Sequence, residues 1–293
     1  MTEPASNTCI APAPSANNGE FLMTYSGQTA WITGASSGIG EALATGLSAR
    51  GARVVLSGRN VAELERVAAA CAGETLVLPF ETTDYAALPG LVAKAWDWRD
   101  GITLLVNNAG ISQRSLAEET AFAVYERIVA VDLLAPIALT QALLPLMIAR
   151  KRGRLAFISS VAGKVGVPMR TAYSAAKFGL LGYADALRAE LSVHNIEVHG
   201  IVPGSIRTNV SRNALTSDGS KRGFSDPAIE KGIDPEAAAV EMLDAMAAGQ
   251  REIVVAAGVE KQMGELTRTP DALFDQVADL MARGYAQQLK AEK

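Results

Sequence analysis

The sequence predicts an α/β protein: a single Rossmann-type, doubly wound parallel sheet of about seven strands with helices on both faces. Three observations lead there. Short apolar runs alternate with longer Ala- and Leu-rich stretches, the β-α-β-α order of a parallel sheet covered on both sides. The first apolar run ends in a glycine-rich turn that opens a helix. The chain has 293 residues, 49% of them apolar, enough for one large core.

Thr29 to Thr33 (TAWIT) is the first strand. It runs into Gly34-Ala35-Ser36-Ser37-Gly38-Ile39-Gly40, and a helix follows from about Glu41 to Arg50. Strand, glycine turn and helix aim backbone N–H groups and a helix N-terminus at a phosphate. Glycines let the backbone approach a diphosphate closely. The second strand, Arg53 to Ser57, ends at Gly58-Arg59-Asn60. A carboxylate there would bind the ribose 2′-hydroxyl of NAD, whereas an arginine suits the 2′-phosphate of NADP. Arg59 therefore points to NADP(H) in preference to NAD(H).

Asn60 caps the next helix, Val61 to Cys71. The third strand is Thr75 to Phe80, and Asp84 is placed to cap the helix that carries Trp96 and Trp98. The fourth strand, Ile102 to Val106, ends in Asn107-Asn108-Ala109-Gly110, where open α/β sheets bind ligands. A helical region from about Ala117 to Arg150 is interrupted at Pro136. Its most apolar stretch, Leu133 to Ala149, is short for a membrane span and reads as a buried or interface helix. The fifth strand, Arg154 to Ile158, leads to Ser159-Ser160. A helix from Tyr173 to Leu191 follows, then a sixth strand, Glu197 to Val202. Residues 205–232 form a substrate loop whose polar part, from 209, reads as a mobile lid with short helices. Asp234-Pro235-Glu236 opens another helix, Glu252 to Ala256 is the seventh strand, and a helical segment closes the chain. Residues 1–27 read as a flexible tail preceding a single domain, 28–293.

Composition narrows the function. Net charge is −4, with no basic stripe, so nucleic acid is not an expected partner. No integral membrane segment or secretory signal is expected. The cysteines, Cys9 and Cys71, fit no metal spacing, and the pair of histidines, His194 and His199, leaves no His-rich metal site. A reducing, cytoplasmic setting is expected.

Tyr173 and Lys177 stand four apart on one helix and so share a face. An ammonium beside a phenol favours the phenolate, the shift a tyrosine needs for acid–base work. About 0.2 such pairs are expected by chance in a chain of this composition, so the pair gains weight only beside a cofactor site. Ser160, at a strand end, is placed to bond a substrate oxygen.

Thr33-Gly34 with Gly38 and Gly40, Asn107 to Gly110, Ser160, Tyr173 with Lys177, and Pro203-Gly204 stand in the order and at about the spacing of the short-chain dehydrogenase/reductase family, which the chain resembles over roughly residues 27–257. Within it, Gly163-Lys164-Val165, Asn107 to Arg114 and Pro203 to Gly223 resemble the member 7 and 7B group, and more distantly the 11β-hydroxysteroid dehydrogenases. The resemblance implies hydride transfer between a nicotinamide and a carbonyl or secondary alcohol. It implies that Gly34, Ser36, Ser37, Gly38, Ile39 and Gly40 hold the diphosphate and that Arg59 faces the 2′-phosphate. Glu81 would lie near the adenine, and Asn107 and Ala109 would line the adenosine side. Pro203, Gly204 and Ile206 join this set, with Thr208 at the carboxamide. Ser160 would orient the substrate, Tyr173 would exchange the proton, and Lys177 would bind the nicotinamide ribose. The family's relay asparagine is replaced by Asp132, which can serve if the relay uses its backbone carbonyl to hold a water. A homodimer or homotetramer is also implied. Apolar residues, among them Val210, Leu215, Phe224 and Met169, suggest an apolar substrate.

Rival readings have their own residues. Gly34-Ala35-Ser36-Ser37-Gly38 also satisfies the G-x-S-x-G of a serine hydrolase, with His194 or His199 as partner to Ser36. A non-catalytic NADP(H)-binding sensor or scaffold is the other alternative.

Overall fold

The computed structural model describes residues 24–266 and 271–284. Its sheet has seven parallel strands in the order β3-β2-β1-β4-β5-β6-β7. These are β1 Thr29–Thr33, β2 Arg53–Ser57, β3 Thr75–Val77, β4 Leu104–Asn107, β5 Gly153–Ile158, β6 Ile196–Pro203 and β7 Glu252–Val255. The helices are α1 Gly38–Ala49, α2 Val61–Ala70, α3 Leu88–Asp97, α4 Phe122–Val129, α5 Ala135–Arg150, α6 Thr171–Leu191, α7 Pro227–Glu230, α8 Pro235–Ala247, α9 Gly258–Glu265 and α10 Asp271–Ala282.

Strand side chains alternate between two cores, as a sheet covered on both faces requires. Ile32, Val54, Leu56, Leu104 and Val106 pack with Leu43 and Leu47 of α1, Leu64 of α2 and Met242 and Met246 of α8. Trp31, Val55, Leu105, Leu155 and Phe157 pack with Leu91 of α3, Leu139 and Leu143 of α5 and Leu180 and Leu187 of α6. β1 and β4 are sheet neighbours whose connections leave in opposite directions, which opens a crevice at their C-terminal ends.

Local expectations meet several corrections. Asn60 does cap α2, accepting the Glu63 N–H at 3.3 Å, and Asp234 caps α8 through the Glu236 and Ala237 N–H groups. Asp84 makes no side-chain capping bond, and the turn before α3 is a short 3₁₀ segment instead. The interruption expected at Pro136 is absent. α4 and α5 form one continuous helix, Phe122–Arg150, through a π-turn at Ala130–Leu134, with Pro136 where α5 begins. Pro136 lies inside this helix directly after the π-turn, the kind of local widening at which a helix takes a residue without an N–H. This helix is long and apolar enough to cross a membrane by length and composition, and 44% of its most apolar window is buried inside the fold.

Of the tail expected over 1–27, residues 1–23 lie outside the described residues. Residues 24–27 belong to the folded body. Tyr25 is fully buried, its N–H bonds Arg50 O at 3.1 Å and its hydroxyl donates to Leu243 O at 2.7 Å. That burial pushes the phenol pKa up to about 12.

Candidate active site

A cleft of about 420 Å³ opens at the C-terminal ends of the strands. Gly34, Ser36, Ser37, Gly38 and Ile39 line it after β1, Gly58 and Arg59 after β2, and Asn108 to Ile111 after β4. Ser159 and Ser160 come from β5, Pro203, Gly204, Ile206 and Thr208 from β6, and Tyr173 and Lys177 from α6. Segments far apart in sequence thus converge because parallel strands all present the same end.

The glycine turn is shaped to leave a cradle. Gly34 has φ +65°, and a Cβ there would stand 2.9 Å from Ala109 Cα. Gly40 does not line the cleft: it sits in α1 so close that a Cβ would be 2.2 Å from Gly34 O. Its lack of a side chain lets helix and turn meet. Asn108 braces the turn, donating from Nδ2 to Thr33 O at 2.9 Å and Gly34 O at 3.2 Å. Thr33 Oγ1 in turn accepts the N–H groups of Asn108 and Ala109 at 3.0 and 3.1 Å. Asn107 lies behind this surface. Its amide is buried and donates to Thr140 Oγ1 of α5 at 3.1 Å, so the cleft-facing residues of this stretch are Asn108, Ala109 and Gly110.

At one end Glu81 stands between two arginines, Arg59 at 3.4 Å and Arg127 at 3.5 Å. Partial burial acts to raise the Glu81 pKa, but the two guanidiniums outweigh it and hold the carboxyl below its ordinary value. Arg59 is 67% exposed and therefore free to turn to another anion. Arg127, from α4, was not foreseen at this site; nothing local in the sequence ties it to Arg59.

The catalytic candidates meet at the centre. Ser160 follows β5 and caps the short 3₁₀ turn after it, its Oγ accepting the Ala162 N–H at 3.1 Å. Lys177 Nζ lies 5.6 Å from the Tyr173 ring centroid, as one helical turn dictates. The ammonium donates to Ile158 O at 2.9 Å and stands 3.2 Å from Asp132 Oδ2. Asp132 enters through the π-turn and is fully buried, with Oδ1 accepting the Ile111 N–H at 2.9 Å. Burial acts to lower the Lys177 pKa, and the Asp132 carboxylate outweighs it, holding the lysine above its ordinary value.

The substrate loop is strapped down rather than free. Leu215 exchanges backbone bonds with Ser112 and Arg114 at 2.7 and 2.8 Å, and Ala121 N–H bonds Ser217 O at 2.8 Å. Asp226 receives Arg114 at 2.7 Å, Arg170 at 3.2 Å and Arg222; burial acts to raise its carboxyl pKa, but the Arg222 and Arg114 guanidiniums outweigh it and hold the group well below the usual range. Val210 and Leu215 line the cleft as expected, together with Ile111; Phe224 and Met169 are surface-exposed outside it. In the loop after β6, Glu260 of α9 accepts the Ser205 N–H at 2.6 Å and the Ser205 hydroxyl at 2.8 Å, a contact without a sequence signal.

Ser36 has no histidine beside it. His199 is buried in β6, bonded through Nδ1 to Gln250 O at 2.6 Å, and His194 precedes the N-terminal end of that strand, away from the cleft. Among the described residues no group of His, Cys, Asp and Glu could hold a metal.

Comparisons agree with this geometry. The short chain dehydrogenase family model matches residues 28–218. The chain is 42% identical to the dehydrogenase/reductase SDR family protein 7-like of Anopheles gambiae, covering 78% of this chain and 75% of that one. It is 38% identical to the SDR family member 7B of Bos taurus, covering 77% and 72%. Among solved structures, a metagenomic short-chain oxidoreductase in complex with NADP is 32% identical, with a TM-score of 0.66 over 79% of this chain and 98% of that one. A short-chain dehydrogenase from Streptomyces avermitilis is 26% identical, with a TM-score of 0.72 over 90% and 98%. The chain belongs to the short-chain dehydrogenase/reductase family, NAD(P)-dependent oxidoreductases that act on CH–OH or C=O groups.

Proposed function

We propose that this enzyme uses NADP(H) to interconvert a carbonyl and a secondary alcohol on an apolar substrate, with Tyr173 as general acid and base. The observation that carries the reading is a single cleft holding the glycine turn, Arg59, Ser160, Tyr173 and Lys177. The cradle at Gly34 and the exposed Arg59 fit a dinucleotide with a 2′-phosphate. A bound nicotinamide supplies the hydride in reduction and accepts it in oxidation. The Ser160 hydroxyl holds the substrate oxygen. Tyr173 donates its O–H proton to that oxygen as the carbonyl carbon is reduced, and takes a proton from the alcohol in the reverse direction. Lys177, held as the ammonium, stabilises the phenolate oxygen left behind. Pro203, Gly204, Ile206 and Thr208 close the far wall, and Ile111, Val210 and Leu215 give the substrate an apolar surface. Exposed Phe122 and Leu134 on the long helix support a homodimer or homotetramer, checked by sedimentation.

The test is oxidation of NADPH against a panel of ketones, aldehydes and quinones, with NADH in parallel and Tyr173→Phe as control. Turnover that prefers NADPH and collapses in the variant is expected. Turnover with NADH alone overturns the role of Arg59. Tight NADPH binding without turnover favours a sensor.

A further inference from the structure

Asp132 meets Lys177 through its side chain, and this is where the chain departs from the asparagine of its family. Lys177 is fully buried in α6, with 4% of its side chain exposed, and Asp132 shows 0%. An isolated ammonium at such a depth tends to shed its proton, because desolvation penalises the charged form. Nothing else charged reaches it at ion-pair distance among the described residues. From α6 it faces Tyr173, from β5 the neutral Ile158 carbonyl, and from the loop after β4 the backbone of Gly110. A Cβ on Gly110 would stand 3.0 Å from Asp132 Oδ2 and 3.4 Å from Lys177 Nζ, so that backbone packs directly over the pair. The carboxylate is itself fixed, its other oxygen holding the Ile111 N–H at 2.9 Å. The ammonium donates one hydrogen bond, to Ile158 O, and the Asp132 carboxylate stands beside it at 3.2 Å as an ion pair.

We infer that Asp132 is a positioning residue: its side-chain carboxylate is the counter-ion that keeps buried Lys177 protonated and aimed, in place of a water held by the backbone of that turn. The inference deepens the proposed reaction, since it assigns how the lysine of that site stays charged. The same carboxylate raises the lysine's pKa against the effect of burial. The site accordingly retains its ammonium into alkaline solution.

The experiment titrates Lys177 in the cofactor-free protein by NMR of ¹³Cε-labelled lysine, assigned with Lys177→Arg, in the wild type and in Asp132→Asn and Asp132→Glu. Asp132→Asn should move the Lys177 midpoint to lower pH by about one unit or more, a tenfold change in proton affinity. Asp132→Glu, which restores the charge, should recover most of it. In turnover with NADPH, the alkaline limb of the kcat/KM profile should move the same way in Asp132→Asn. A merely structural residue would lower the melting temperature and leave both midpoints in place, and that result overturns the inference. Should neither variant fold, a wild-type Lys177 midpoint at or below the ordinary lysine value, about 10.4, overturns it as well. Because the NMR titration needs no turnover, a shifted midpoint with an inactive wild type would remove the proposed reaction and leave the counter-ion standing.

Discussion

Two carboxylates face cations across the same cleft, and their settings are opposite. Glu81 holds Arg59 and Arg127 at 3.4 and 3.5 Å in the open, with side chains a third to two thirds exposed. Asp132 holds Lys177 at 3.2 Å with almost no exposure. Exposed pairs contribute little and open readily, so Arg59 can leave Glu81 at small cost. A buried pair costs much to break, because the remaining charge has no water to turn to. The outer pair is thus suited to recognition and the inner one to holding a group in place.

Breaking the inner pair should have the largest effect. Lys177→Met strands the Asp132 carboxylate and is expected to lower kcat by about 10²–10⁴-fold and stability by about 3–5 kcal/mol. Turnover assays and urea unfolding check both, and a variant of wild-type stability would show that the pair is not paying a desolvation cost. The Asp226 knot is the second buried test. Asp226→Ala leaves Arg114, 7% exposed, without its carboxylate and should cost about 3 kcal/mol while making residues 209–226 protease-sensitive. Its pH behaviour follows from sign. The folded pKa of Asp226 is depressed, so its contribution is present above the unfolded value and is lost only as pH falls toward the folded one. Wild-type loop protection should therefore persist at pH values of about 4, near the unfolded carboxylate pKa.

At the outer pair the effects are smaller and selective. Arg59→Ala should raise KM for NADPH by about 10-fold or more, as for loss of a charge-assisted contact, and leave KM for NADH unchanged. Equal losses with both cofactors would erase the distinction between the pairs. Glu81→Gln should change stability by less than about 1 kcal/mol and tighten NADPH a few-fold by releasing Arg59. Added salt should shrink that gain, since the charges are exposed.

Much of this was legible along the chain. β1 and β2 run as read, from Thr29 to Thr33 and from Arg53 to Ser57, because buried parallel strands are continuous apolar runs. The turn at Gly34 to Gly40 and the Tyr173–Lys177 spacing are local patterns with local geometry. Ends were less legible: β3 stops at Val77 rather than Phe80, although the Leu78 and Phe80 N–H groups still donate to Leu56 O and Gly58 O beyond it. The segment expected as a lid over 209–232 is tied across the fold: the Leu215 backbone pairs with Ser112 and Arg114, and Asp226 meets Arg114 and Arg170. Asn107 and Gly40 carry family motifs yet face the interior, a distinction no spacing rule makes.

Element types, their order, the parallel sheet, the glycine cradle and the helix face shared by Tyr173 and Lys177 follow from the residues in order. Each depends on periodicity or on residues within a turn of one another. The tertiary structure alone decided that Asp132 reaches Lys177 by its carboxylate, that Glu81 stands between Arg59 and Arg127, and that Asp226 gathers Arg114, Arg170 and Arg222. Those partners lie on different elements, and only the strand order and the loops it brings together fix which charges meet.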